Sequence, residues 1–192
     1  METLLQFWGG AFYLINKIFF ALAEGKKQTV KRKLKLCGWG IYILGVPAWV
    51  IILLGEQNWI AASIEAGGVP SMFLGLYTVY KRSKTPNKIF DNIASFFTYC
   101  AIVSGVSYSL FDYGGITSLS QILEAGVMLG FLLGSYLLAK NNRSGWLFFM
   151  LMNGSMATLM LVQNKPLLAA QQLLSLCFVI YGFWKSKKAK PL

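Results

Sequence analysis

Seven apolar runs, separated by short breakers whose positive charge comes and goes in alternation, leave this chain few ways to fold. The runs cover roughly 4–23, 37–54, 59–80, 89–111, 116–138, 146–162 and 166–184. Most are at or near the length of about 18 or more residues that crosses a bilayer. The breakers are Gly25-Lys26-Lys27, Gly55-Glu56-Gln57-Asn58, Ser83-Lys84-Thr85-Pro86-Asn87, Asp112-Tyr113-Gly114-Gly115, Lys140-Asn141-Asn142-Arg143 and Asn164-Lys165-Pro166. Strand alternation is absent. Helices satisfy every backbone polar group within their own segment, which lipid demands.

Lys and Arg number six in the first loop, none in the second, four in the third and none in the fourth. The fifth loop has two, the sixth one and the tail four. Alternate connections therefore hold sixteen against one. The positive-inside rule turns that into seven spans, with the N-terminus outside and the C-terminus in the cytoplasm. The expected setting is a bacterial cytoplasmic (inner) membrane. The first run begins at Leu4 with no basic stretch before it, so it is expected to stay as a helix.

The net charge of +11 would suggest nucleic acid in a soluble protein. Here the basic residues flank apolar runs, where they set orientation, and only 13% of the chain is charged. Nucleic acid is therefore not an expected partner. Cys37, Cys100 and Cys177 lie far apart without C-x-x-C spacing, and histidine is absent. No cofactor or metal is expected, and an enzyme is the weakest reading, because no nucleophile–base pair can be assembled.

A shift of 107 residues lays Gly38-Trp39 on Gly145-Trp146, Leu44 on Leu151, Leu54 on Leu161 and Ala62 on Ala169. It also lays Glu65 on Gln172, Gly75 on Gly182 and Lys81 on Lys188. The expected architecture is all-α and integral to the membrane: a 3+1+3 plan of parallel triple-helix repeats, as in the SWEET class. The whole chain, 1–192, forms one transmembrane domain. The repeats are 4–80 and 116–184, and 89–111 is the linker helix. Gly45-Val46-Pro47 and Gly67-Gly68-Val69-Pro70 are expected to interrupt helices 2 and 3. Gly126, Gly130 and Gly134 give helix 5 a smooth packing face.

Polar groups inside spans are expensive, so each is a candidate contact with substrate. Glu65, Glu124 and Gln172 lie in the outer parts of their helices, and Asn153 near the middle of helix 6. Their alternative role is interhelical hydrogen bonding, worth about 0.6–2 kcal/mol each. Trp39 and Trp146 lie at the inner ends of helices 2 and 6, where a membrane-interface belt is the alternative. Lys17, in the inner half of helix 1, is expected to snorkel toward the cytoplasm.

The stretch 121–184 resembles the Pnu-type vitamin transporters, the family of nicotinamide riboside transporters. Gln121-Ile-Leu-Glu-Ala-Gly126 is similar to the family's opening helix of a triplet. Trp146 with Asn153 seven residues later resembles its Trp/Asn helix, and Gln172 with Tyr181-Gly182 its closing helix. The resemblance implies uptake of a vitamin-like nucleoside or heterocycle by facilitated diffusion, trapped by phosphorylation in the cytoplasm. It implies substrate contacts at Asn153, Gln172, Trp146 and Tyr181. The W-x-x-W that follows Tyr-Gly in nicotinamide riboside members is replaced by Phe183-Trp184-Lys185-Ser186, so another vitamin or a nucleoside fits as well. The Pro-Gln signature of SWEET-class sugar transporters is missing. The expected partners are thus a small-molecule vitamin or nucleoside and the lipid bilayer, with a homo-oligomer left open. A non-transporting membrane scaffold or subunit is the competing reading.

Overall fold

A computed structural model describes residues 2–55, 59–83 and 85–188. The breaker residues Glu56, Gln57 and Asn58, together with Lys84 and Lys190, lie outside them. The described residues form helices α1 (Glu2–Ala23), α2 (Gln28–Gly55), α3 (Trp59–Gly67), α4 (Val69–Tyr80), α5 (Lys88–Tyr113), α6 (Leu119–Ala139), α7 (Ser144–Val162) and α8 (Pro166–Lys188). Six candidate spans among them are long and apolar enough to cross a membrane, counting α3 and α4 together as Ile60–Tyr80. They are α2, that composite, α5, α6, α7 and α8. The 22-residue α1 packs along α2 and α8.

Helix ends follow local chemistry. The Asn87 side-chain oxygen Oδ1 accepts from the amides of Ile89 and Phe90 and starts α5, and Gly114 closes that helix at φ +65°. Ser118 caps α6 by accepting from the Gln121 amide. Gly67-Gly68 and Pro70 separate α3 from α4, as the sequence predicts. A Cβ on Gly68 would lie 2.6 Å from the Phe131 ring, so the break also lets α6 come close.

Two expectations fail. Helix 2 is not interrupted at Gly45-Val46-Pro47, because α2 runs straight through Pro47. Trp8 of α1 supplies a donor there, its indole N–H bonding the Leu44 carbonyl at 3.0 Å. Helix α2 also starts at Gln28, not 37, so most of the basic first loop is helical. Tertiary bonds hold that extension. Arg32 donates to the carbonyls of Val79 and Tyr80 at the C-terminus of α4, where free carbonyls favour a cation.

Packing contacts run α1–α2–α4–α6–α7–α8 and back to α1, closing a ring of six helices. Helix α5 packs only on α3, α4 and α6, outside that ring. Gly126, Gly130 and Gly134 face α7. A Cβ there would meet Ser155 Oγ at 2.5 Å, Met152 N at 2.5 Å and the Phe149 ring at 2.6 Å. The small-residue stripe is thus a packing face between α6 and α7. Phe7, Ile51, Phe73, Phe96, Phe111 and Leu167 are exposed on the outside, which is therefore largely apolar.

Candidate functional site

The ring interior is built from side chains of helices that are not neighbours in the ring. Lys17, on α1, is 1% exposed, and its ammonium lies 3.6 Å from the centroid of Phe149 on α7 and 4.3 Å from that of Tyr42 on α2. Helices α1 and α7 do not pack against each other, so the lysine reaches across the interior. Tyr42 likewise crosses from α2 to α6, where its hydroxyl shares a 3.1 Å hydrogen bond with Ser135. Phe131 and Phe149 stand edge-on to Tyr42 at 6.1 and 6.4 Å, and Tyr13 at 5.1 Å. Asn153, one turn after Phe149, is fully buried and donates its amide to the Phe149 carbonyl at 2.7 Å.

Lys17 does not snorkel. Six residues separate it from Ala23 at the end of α1, about 9 Å of helix rise. Its side chain turns inward instead of along the helix. Its Nζ has no hydrogen-bond partner, and neither do both amide atoms of Asn16, Oδ1 of Asn153 or the Tyr13 hydroxyl. All are buried, and a buried polar atom left unpaired costs about 1–3 kcal/mol. Cation–π contact returns about 2 kcal/mol at a desolvated site, while burying an ammonium costs several.

Trp39 and Trp146 close the interior toward the end that carries the basic loops. They are 2% and 1% exposed, so they pack in the core, not in a belt at the surface. Trp39 lies on Gly75 and Trp146 on Gly182, where an added Cβ would come within 2.3 and 2.5 Å of the indoles. Both tryptophans line a narrow cleft with Phe20, Glu24, Lys35 and Leu138. Glu24 binds Lys31 at 2.8 Å and Lys35 at 3.3 Å. Burial pushes the Glu24 carboxyl up, but the charge of Lys35 and the bonded ammonium of Lys31 outweigh it and hold it below its ordinary value. Lys35 also reaches Asn141 in the loop between α6 and α7.

The remaining sequence candidates lie elsewhere. Glu65 is half-buried on α3, with an unpartnered buried Oε1, and α3 packs against neither α1 nor α7. Glu124 is exposed on α6, and Tyr181 is 42% exposed on α8. Gln172 is half-buried, while its neighbour Gln171 lies against α1, where a Cβ on Gly10 would sit 2.7 Å from its amide nitrogen. The sequence alone does not show Tyr42 and Phe149 as partners of Lys17. Among the described residues no group of His, Cys, Asp or Glu could hold a metal ion, and all three cysteines are free and exposed.

No protein-family model, no curated protein and no solved structure matches this chain.

Proposed function

We propose that the chain is a seven-span membrane transporter for a small ring-bearing solute, in the vitamin-like nucleoside or heterocycle class that the Pnu-type resemblance implies. The observation that carries the proposal is the set of unpaired buried polar atoms on Asn16, Lys17 and Asn153, of which Lys17 lies against Tyr42 and Phe149 and Asn153 bonds the Phe149 carbonyl. A scaffold gains nothing from unpaired polar atoms among aromatic faces. A solute that stacks on those rings and bonds those atoms would relieve their cost.

The mechanism is alternating access by two triple-helix units, 4–80 and 116–184, joined by the linker helix 89–111. Several equivalences support it. The 107-residue shift relates Tyr42 to Phe149 as well as Trp39 to Trp146 and Gly75 to Gly182. Each tryptophan packs on the glycine of its own unit. Contacts between the units pair α4 with α6 and α8 with α1, the last helix of one unit with the first of the other. On this reading the basic loops face the cytoplasm, and Trp39, Trp146 and the Glu24–Lys31–Lys35 cluster would be the closure at that end. The terminal orientation, the bacterial inner membrane and phosphorylation of the cargo after entry belong to the same reading.

Uptake of labelled vitamins, nucleosides and sugars into vesicles holding the purified protein tests it. Asn153→Ala should lose most uptake of whichever compound the parent carries. Unchanged uptake by Asn153→Ala would remove the central site from the mechanism.

A further inference from the structure

We propose that Lys17 is an anion-binding residue, and that the solute carries an acidic group which takes the vacant hydrogen bonds of its ammonium between Tyr42 and Phe149. The inference rests on the transport reading and names the substrate class within it. An ammonium has three donors and no acceptor capacity, so only an acceptor can satisfy it. Its two ring neighbours offer π-faces only, at 3.6 and 4.3 Å.

Among the described residues no carboxylate of the chain fills that role. Glu24 is engaged with Lys31 and Lys35, and Asp91 with Lys140. Asp112 and Glu124 are exposed, and Glu65 stands on a helix that does not pack against α1. Among the described residues Lys17 is thus a buried amine without an anionic partner. A bound carboxylate or phosphate would form charge-assisted hydrogen bonds with an ammonium that has none within the described residues. Asn16 and Asn153 would meet the remaining polar atoms of the solute, and Tyr42 and Phe149 its ring. The same charge would repel a cationic ring such as the pyridinium of nicotinamide riboside.

The test compares compounds that each present a six-membered aromatic ring and differ in charge. Nicotinate, nicotinamide and phenyl phosphate are titrated against the full-length protein in detergent, with tryptophan fluorescence and the melting temperature as readouts. Nicotinate or phenyl phosphate should bind and nicotinamide should not, and the tighter of the two acids distinguishes a carboxylate cargo from a phosphate one. Lys17→Met keeps the apolar stem and should weaken the acid roughly tenfold to a hundredfold. Lys17→Arg should retain it. If Lys17→Met does not fold, the comparison of acid and amide on the parent still decides. Equal binding of acid and amide, unaltered in Lys17→Met, would overturn the anion assignment and leave the transport reading standing. Binding of none of the three, with uptake of a neutral compound lost in Asn153→Ala, would overturn only the anion assignment. Absence of both binding and uptake across the vitamin, nucleoside and sugar panel would overturn the two together.

Discussion

Replacing Gly75 or Gly182 with alanine tests the packing that closes the basic end of the ring. In an ordinary helix interior the change from glycine to alanine stabilises by about 0.5–1 kcal/mol. Here the new Cβ would lie 2.3 Å from the Trp39 indole at Gly75 and 2.5 Å from the Trp146 indole at Gly182. Ordinary contact begins at 3.4 Å, so each indole must retreat by about 1 Å. Trp39 cannot do so freely, because it packs on Phe20 at 4.7 Å and on Tyr42 at 6.2 Å. Overpacking of a filled core costs about 1–3 kcal/mol, and the helix gain offsets part of it. The net expectation is a loss of about 1–2 kcal/mol for each variant, or roughly 2–8 °C in melting temperature for a chain of this size. Gly40→Ala is the control: it lies in α2 with open space around the new atom and should melt at or above the parent. Thermal unfolding in detergent, followed by tryptophan fluorescence, measures all three. If Gly75→Ala and Gly182→Ala melted as high as Gly40→Ala, the indole-on-glycine packing would be refuted. Similar losses at both positions are what two equivalent units require.

Two further outcomes follow from the ion pairs. Glu24→Gln leaves the ammonium groups of Lys31 and Lys35 without their carboxylate, at 2.8 and 3.3 Å, and should cost about 3 kcal/mol in denaturant or thermal unfolding. Because the Glu24 carboxyl is held below its ordinary 4.5, its stabilisation is complete above that value and is lost as pH falls below it. The acid limb of a stability–pH curve should therefore flatten in Glu24→Gln, and an unchanged limb would remove Glu24 from it. Asp91→Asn removes the carboxylate charge and one of the two oxygens that accept from Tyr136 and Lys140, each at 2.8 Å, and loosens α5 from α6. That pair is partly exposed, so the expected cost is only about 1 kcal/mol, read in the same melts at low salt. The hydrogen bond to Asp91 raises the Lys140 ammonium, so its contribution is present below the ordinary 10.5 and fades as pH climbs through its raised value.

Sequence alone determined the helical class and the position of the spans, because length and hydropathy belong to contiguous segments and lipid forces each segment to pair its own backbone. It also determined the break between α3 and α4, since glycine and proline act where they stand. The small-residue stripe on α6 was legible for the same reason: a missing side chain is a local fact.

Which face of each helix turns inward was decided only by the tertiary structure. Outer and inner faces are both apolar here, so the amphipathic contrast that marks the core side of a soluble helix is weak. Proline at 47 read as a break, yet Trp8 from another helix supports the backbone there. The basic first loop read as a connection, yet Arg32 anchors it to α4 as helix. Glu124 read as interior and is exposed, while Gln171, beside Gln172, lies against α1. Lys17 carries the largest difference. Its sequence neighbourhood allowed an ammonium at the surface, and Tyr42 and Phe149, 25 and 132 residues further along the chain, hold it in the centre of the ring.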